Sequence, residues 1–136
     1  MRKESLEFLK QLLTTPTPSG CESAGQRIWC NYARKFADEV RTDAYGNAVA
    51  IVNPKGDPRI MFDGHIDELG LIVKHIDEKG FLYFQRVGGV DPALVRSKRV
   101  NIHTAKGVIS GVIGATAIHL IDRSKGEQKA PKMHEC

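Results

Sequence analysis

No stretch of this 136-residue sequence approaches the ~20 consecutive apolar residues of a membrane span. A transmembrane helix is therefore not expected. The first residues, MRKESLEFLKQ, are charged and lack the apolar centre of a secretory signal. The three cysteines, Cys21, Cys30 and Cys136, are odd in number, form no CxxC and show no spacing of a disulfide framework. Together these absences make the cytoplasm the expected compartment. No internal repeat or low-complexity tract interrupts the chain, so a solenoid or a long disordered linker is not expected either.

Charge of one sign is in mild excess: the formal net charge is +4 and the pI about 9.1. A nucleic-acid partner would concentrate that charge and interleave it with aromatic rings for base stacking. Here the basic residues are scattered. The densest cluster, RSKR at 96–99, has no aromatic residue among it. It reads as a solvated loop or strand face, and no nucleic-acid partner is expected.

What is present alternates helix and strand. In SLEFLKQLL, Leu6, Leu9 and Leu13 fall on one helical stripe beside Phe8 and Leu12. TTPTPSG breaks that helix. Ser19 and Glu22 have the S-x-x-E spacing of a capping box, ahead of Ala24, Ile28, Tyr32 and Phe36 at four-residue intervals; a helix is expected over about 20–38. Cys21 would fall in its first turn and Cys30 in the core. EVRT and AVAIV read as strands around a DAYGN turn, and RIMF (59–62) as a strand buried on both faces. Beyond residue 68 the pattern becomes short strands punctuated by glycine: GLIVKHID, FLYFQRV, RVNIHTA and GVISGVIG, with a hairpin turn in HIDEKGF and no helix signal between Gly70 and Leu120. The polar tail from Arg123 lacks periodicity.

The segment FDGHIDELG (62–70) carries the chemistry. Side chains two apart on a strand share a face, so His65 and Asp67 can be neighbours even just past a strand end. One use is a metal site, with the imidazole binding through one nitrogen while the carboxylate holds the other N–H and fixes the tautomer. Another is a His–Asp pair activating a serine or cysteine, but no G-x-S-x-G elbow occurs. Gly64 permits close approach of backbone or metal. In open α/β sheets ligands bind at the carboxyl ends of strands, where His65 would fall after RIMF. H-x-D alone is a weak signal, since a satisfied structural histidine has the same spacing.

Context adds to it. The string GHIDELGLIVKHIDEKGFLYFQRVGG resembles the tetrahedral metalloaminopeptidases, the deblocking and glutamyl aminopeptidases often mislabelled as endoglucanases. PTPSGCE (16–22) resembles that family's helix start, DAYGNAVA (43–50) its Asp-x-x-Gly-Asn turn, and 99–120 its inserted β domain. The resemblance implies an α/β fold: a partial phosphorylase/hydrolase-like catalytic domain at 1–68, a small β-barrel insertion domain at 69–122 of the dimerisation type, and a flexible tail at 123–136. It implies release of N-terminal residues from peptide substrates by two divalent metal ions, zinc or cobalt, in a homo-oligomer ranging from dimer to dodecamer. His65 would be a metal ligand, and Asp67 would orient it.

The resemblance also implies what is missing. Family members are more than twice this length, and the part that follows the inserted domain holds the remaining ligands and the general base. His75, His103, His119 and His134 do not replace them, and Asp63 and Glu68 do not rescue the site; Glu68 is expected to cap or pair locally. The expectation is a fragment or truncated reading frame holding at most one weak partial metal site and catalytically incomplete alone. Two other readings stand beside it. One is a non-catalytic assembly or regulatory module that pairs with full-length subunits. The other is a carbohydrate-active hydrolase, which would need two carboxylates about 5–10 Å apart in a cleft.

Overall fold

The protein is described by a computed structural model covering residues 1–115 together with Ala117 and His119. The tail at 123–136 lies outside the described residues, as does the end of the expected barrel domain. The chain divides after Glu68 into two compact units.

In the first unit, α1 spans Lys3–Thr14 and α2 spans Ser23–Ala33; β1 (Glu39–Thr42) and β2 (Ala48–Ile51) form an antiparallel pair with Val40 opposite Ala50. The helices meet through aromatic rings. Phe8 stacks on Tyr32 with centroids 3.9 Å apart, and Tyr32 meets Phe36 edge-on at 5.7 Å. The expected leucine stripe is thus only half used: Leu9 and Leu12 are half-buried, while Leu6 and Leu13 stay exposed. Ser5 and Tyr32 join hydroxyls at 3.3 Å, and Lys35 pairs with Glu4 at 2.8 Å.

Two local expectations change. The α2 helix starts at Ser23, not near residue 20, and no side chain caps it. Glu22 accepts a bond from the Gly20 amide instead, so the S-x-x-E spacing closes a tight turn ahead of the helix, and Cys21 sits exposed in that turn. The helix is also shorter than expected. Lys35 and Phe36 bond three residues back, to Tyr32 and Ala33, which tightens and ends the last turn. Cys30 is 4% exposed, in the small core that the sequence suggested.

RIMF is not a strand here. Met61 is 88% and Phe62 94% exposed, and the segment belongs to no ladder. A strand is defined by the partner that takes its N–H and C=O groups. Among the described residues no segment pairs with 59–62.

The second unit contains two hairpins. β3 (Gly70–Ile76) pairs with β4 (Leu82–Val87), and β5 (Arg99–Thr104) with β6 (Gly107–Val112). The first turn is the one the sequence indicated: Asp77 Oδ1 accepts from the amides of Lys79 (2.9 Å) and Phe81 (2.8 Å), and Gly80 takes φ +85°. Between the hairpins lies α3, Pro92–Val95, which the sequence reading missed. Asp91 caps it by accepting from the Ala93 amide, and Pro92 starts it. RSKR follows directly, across the turn into β5. Val95 and Ile113 are buried. The expected barrel is not seen among the described residues. Closure requires each edge strand to pair onward, and β3–β4 and β5–β6 remain separate two-stranded sheets.

Candidate functional site

The site begins with a short clasp inside the first unit. The segment after α1 runs beside the segment that ends that unit. Pro18 bridges Glu68 in parallel, the Glu68 amide donates to Thr17 O at 2.9 Å, and the Ser19 amide donates to Glu68 O at 3.3 Å. The Glu68 carboxylate accepts from the Thr17 amide at 3.0 Å, which is the local pairing expected of it. Thr17 is 5% exposed, and its hydroxyl donates to Ile66 O at 2.8 Å. Each polar group of this buried threonine is therefore satisfied.

The α2 helix seats against the clasp at Gly25. A Cβ there would lie 2.5 Å from Thr17 Cγ2 and 3.2 Å from Ile66 Cδ1. Only glycine lets the helix come this close. Gln26, one residue on, donates to Gly46 O at 2.7 Å and ties α2 to the DAYGN turn. In that turn Asp43 accepts from the Tyr45 and Asn47 amides at 2.9 Å each and from Asn47 Nδ2 at 2.8 Å. These bonds, the Asn47 side chain foremost, hold the Asp43 carboxyl below its ordinary value of 3.8.

The clasp presents His65 and Asp67. His65 Nδ1 lies 2.9 Å from Asp67 Oδ1 and 3.1 Å from Asp67 O. A backbone carbonyl only accepts, so the geometry assigns the proton to Nδ1. The lone pair of the neutral ring then sits on Nε2, which has no hydrogen-bond partner among the described residues. The His65 side chain is 85% exposed, so the ring is not a packed core group. Asp67 is also bonded on its other oxygen, where Oδ2 accepts from the Ser19 hydroxyl. That bond first, and the His65 contact after it, hold the Asp67 carboxyl below its ordinary value of 3.8. Ser19 is the residue that sequence reasoning missed. Its partner is 48 residues away, and its spacing to Glu22 suggested a different role.

His65 and Asp67 border an open cleft of ≈ 1010 Å³ within the first unit, together with Cys21, Asn47 and Phe62. A zinc-like ion takes about four ligands. An exposed imidazole with an open Nε2 suits one of those positions. Among the described residues no group of three or more His, Cys, Asp or Glu converges on a point, so these residues do not fit a complete metal centre. His75 instead lies against the Tyr83 ring, with centroids 5.7 Å apart. His103 and His119 are exposed in the second unit, His134 lies outside the described residues, and Asp63 is exposed.

The family described as M42 glutamyl aminopeptidase matches residues 46–136. The chain is similar to the lysyl aminopeptidase of Pyrococcus furiosus, 35% identical over 122 residues that cover 89% of this chain and 35% of that one. Its fold is similar to a TET aminopeptidase from the marine sediment archaeon Thaumarchaeota archaeon SCGC AB-539-E09, with a TM-score of 0.89 and 32% identity over 98% of this chain and 37% of that one. It is also similar to the Pyrococcus horikoshii TET1 peptidase, which assembles into a tetrahedron or a large octahedral shell; there the TM-score is 0.77 and the identity 34%, over 95% of this chain and 38% of that one. The chain spans about a third of the length of the curated relatives it matches.

Proposed function

The chain belongs to the M42 glutamyl aminopeptidase family, and from that membership we propose that it supplies the N-terminal portion of a dinuclear-metal aminopeptidase. In this reading His65 gives one ligand through Nε2, and Asp67 keeps Nδ1 protonated. The observation that carries the reading is the His65–Asp67 pair at 2.9 Å, with the ring exposed and its other nitrogen open. His65 Nε2 would hold part of a divalent-metal centre of zinc or cobalt, which would supply Lewis-acid chemistry for peptide hydrolysis. The residues of this chain that act there bind and orient. The Ser19–Asp67–His65 chain fixes one donor atom, and the 17–19/66–68 clasp fixes the backbone beneath it. The substrates are peptides with a free N-terminus. The free Cys21 and Cys30 suit a reducing compartment such as the cytoplasm.

A graft tests this reading. Residues 1–115 replace the matching segment of the Pyrococcus furiosus lysyl aminopeptidase, and metal-dependent release of N-terminal residues is assayed. We expect the chimera to be active and His65→Ala to reduce turnover by at least 100-fold. A folded, active chimera indifferent to His65→Ala contradicts the assignment.

A second reading, as an assembly module that joins longer subunits, is favoured by the second unit. Ile72, Ile76, Phe81 and Tyr83 of its first hairpin are exposed, and isolated two-stranded sheets are marginal in water. Mixed oligomers with a full-length relative on size exclusion would support it. The two readings are compatible, because a homo-oligomeric enzyme needs such a surface. The carbohydrate reading loses ground at the carboxylates. Asp67 is held by Ser19 and His65, and Glu68 by the Thr17 amide, so these two neighbouring carboxylates are engaged in local bonding rather than set across a cleft.

A further inference from the structure

The Ser19 hydroxyl has no role in the helix it precedes. The α2 helix begins at Ser23, and no side chain caps its N-terminus. The hydroxyl instead donates to Asp67 Oδ2, across a separation of 48 residues. A carboxylate rotates easily about its last torsion, which is broad and roughly two-fold. Held only by an exposed imidazole, Asp67 would exchange its two oxygens and share them with water. The clasp removes that freedom. The Ser19 amide on Glu68 O and the Thr17 hydroxyl on Ile66 O place the Ser19 side chain beside Asp67 without any contribution from its own hydroxyl. With Oδ2 occupied, Oδ1 is left facing His65 Nδ1 at 2.9 Å.

We propose that Ser19 is a positioning residue for His65: its hydroxyl anchors Asp67 Oδ2, Asp67 Oδ1 then holds the imidazole proton on Nδ1, and Nε2 keeps its lone pair outward. The purpose of this arrangement rests on reading His65 as a ligand. The arrangement itself does not, and the test below needs no metal.

The measurement is the ¹⁵N shift pattern of the His65 ring in the 136-residue chain at about pH 8, above the usual histidine range of about 6.5. Shifts of the two ring nitrogens report which of them carries the proton. We expect a predominantly Nδ1–H ring in the parent chain. Ser19→Ala should move it toward the tautomer mixture of the urea-unfolded chain, while the Thr17 and Glu68 amide shifts stay in place. Ser19→Thr and Ser19→Val separate the hydroxyl from packing, since the two side chains have the same shape. Thr should keep the Nδ1–H form and Val should lose it. Three results overturn the proposal: an Nε2–H ring in the parent chain, an unchanged ring in Ser19→Ala, or the same ring pattern in the Thr and Val variants. An unchanged ring in Ser19→Ala would mean that the Asp67 backbone carbonyl, 3.1 Å from Nδ1, suffices alone. None of these results bears on whether the grafted enzyme needs His65, so the two claims fail separately.

Discussion

Asp43 and Asp67 have one device in common: a carboxylate held ionised by neutral donors close by in the fold. For Asp43 the donors are Asn47 and the turn amides, and its carboxyl is held below 3.8. A group whose folded value is depressed stabilises the fold fully above its unfolded value and loses that contribution as pH falls through the folded one. The DAYGN turn should therefore loosen only below about pH 3.8, the ordinary value. The Asn47 side chain is the largest cause, so Asn47→Ala should move the Asp43 midpoint upward. A ¹³C carboxyl titration checks this, and an unmoved midpoint contradicts the assigned cause. At this scale the sequence was legible where spacing was short. His65 and Asp67 are two apart, and the structure brings their side chains together. The DAYGN turn is likewise local. The Ser19–Asp67 bond was not legible, because S-x-x-E fits a helix cap just as well and nothing local points 48 residues ahead. Only the pairing of 17–19 with 66–68 selects one use of that serine over the other.

Among the elements, α2 depends on a single missing side chain. A Cβ at Gly25 would meet Thr17 Cγ2 at 2.5 Å, and Thr17 cannot swing away while its hydroxyl is bonded to Ile66 O. Gly25→Ala gains about 1 kcal/mol of helix propensity but overpacks the contact at a cost of about 1–3 kcal/mol. We expect a net loss of about 1 kcal/mol and a lower urea midpoint. A stabilised variant would show that α2 is not seated against the clasp as described. The RIMF segment, unpaired among the described residues, carries a second prediction. Phe62 is 94% exposed in a run with high strand propensity, the kind of segment that pairs with other chains. Phe62→Lys should reduce light scattering on concentration, and equal scattering would contradict that role. Helices α1 and α2, the strands of the second unit and the turn of its first hairpin were readable from periodicity and turn residues. RIMF was misread because an apolar run specifies burial without specifying a partner. The α3 turn was missed because four residues carry too little periodicity, although Asp91-Pro92 is an N-terminal helix signal in retrospect.

For the whole molecule, the buried apolar residues among those described are Cys30, Ala33, Val95 and Ile113, a small core split between two units. The alternation of helix and strand over residues 1–68 placed the chain among α/β proteins, and its fold is similar to that of a solved TET aminopeptidase. A closed barrel was not legible as such, because glycine-punctuated strands specify hairpins, whereas closure is decided by edges that pair elsewhere. On the proposed reading this chain contributes one imidazole to the site, since among the described residues no group of three or more potential ligands converges. The most direct test of that reading is hydrolysis of aminoacyl p-nitroanilides by the isolated chain with added zinc or cobalt. The predicted result is no release above the buffer blank. Metal-dependent turnover that His65→Ala abolishes would contradict it, because this chain would then be building a working centre by itself.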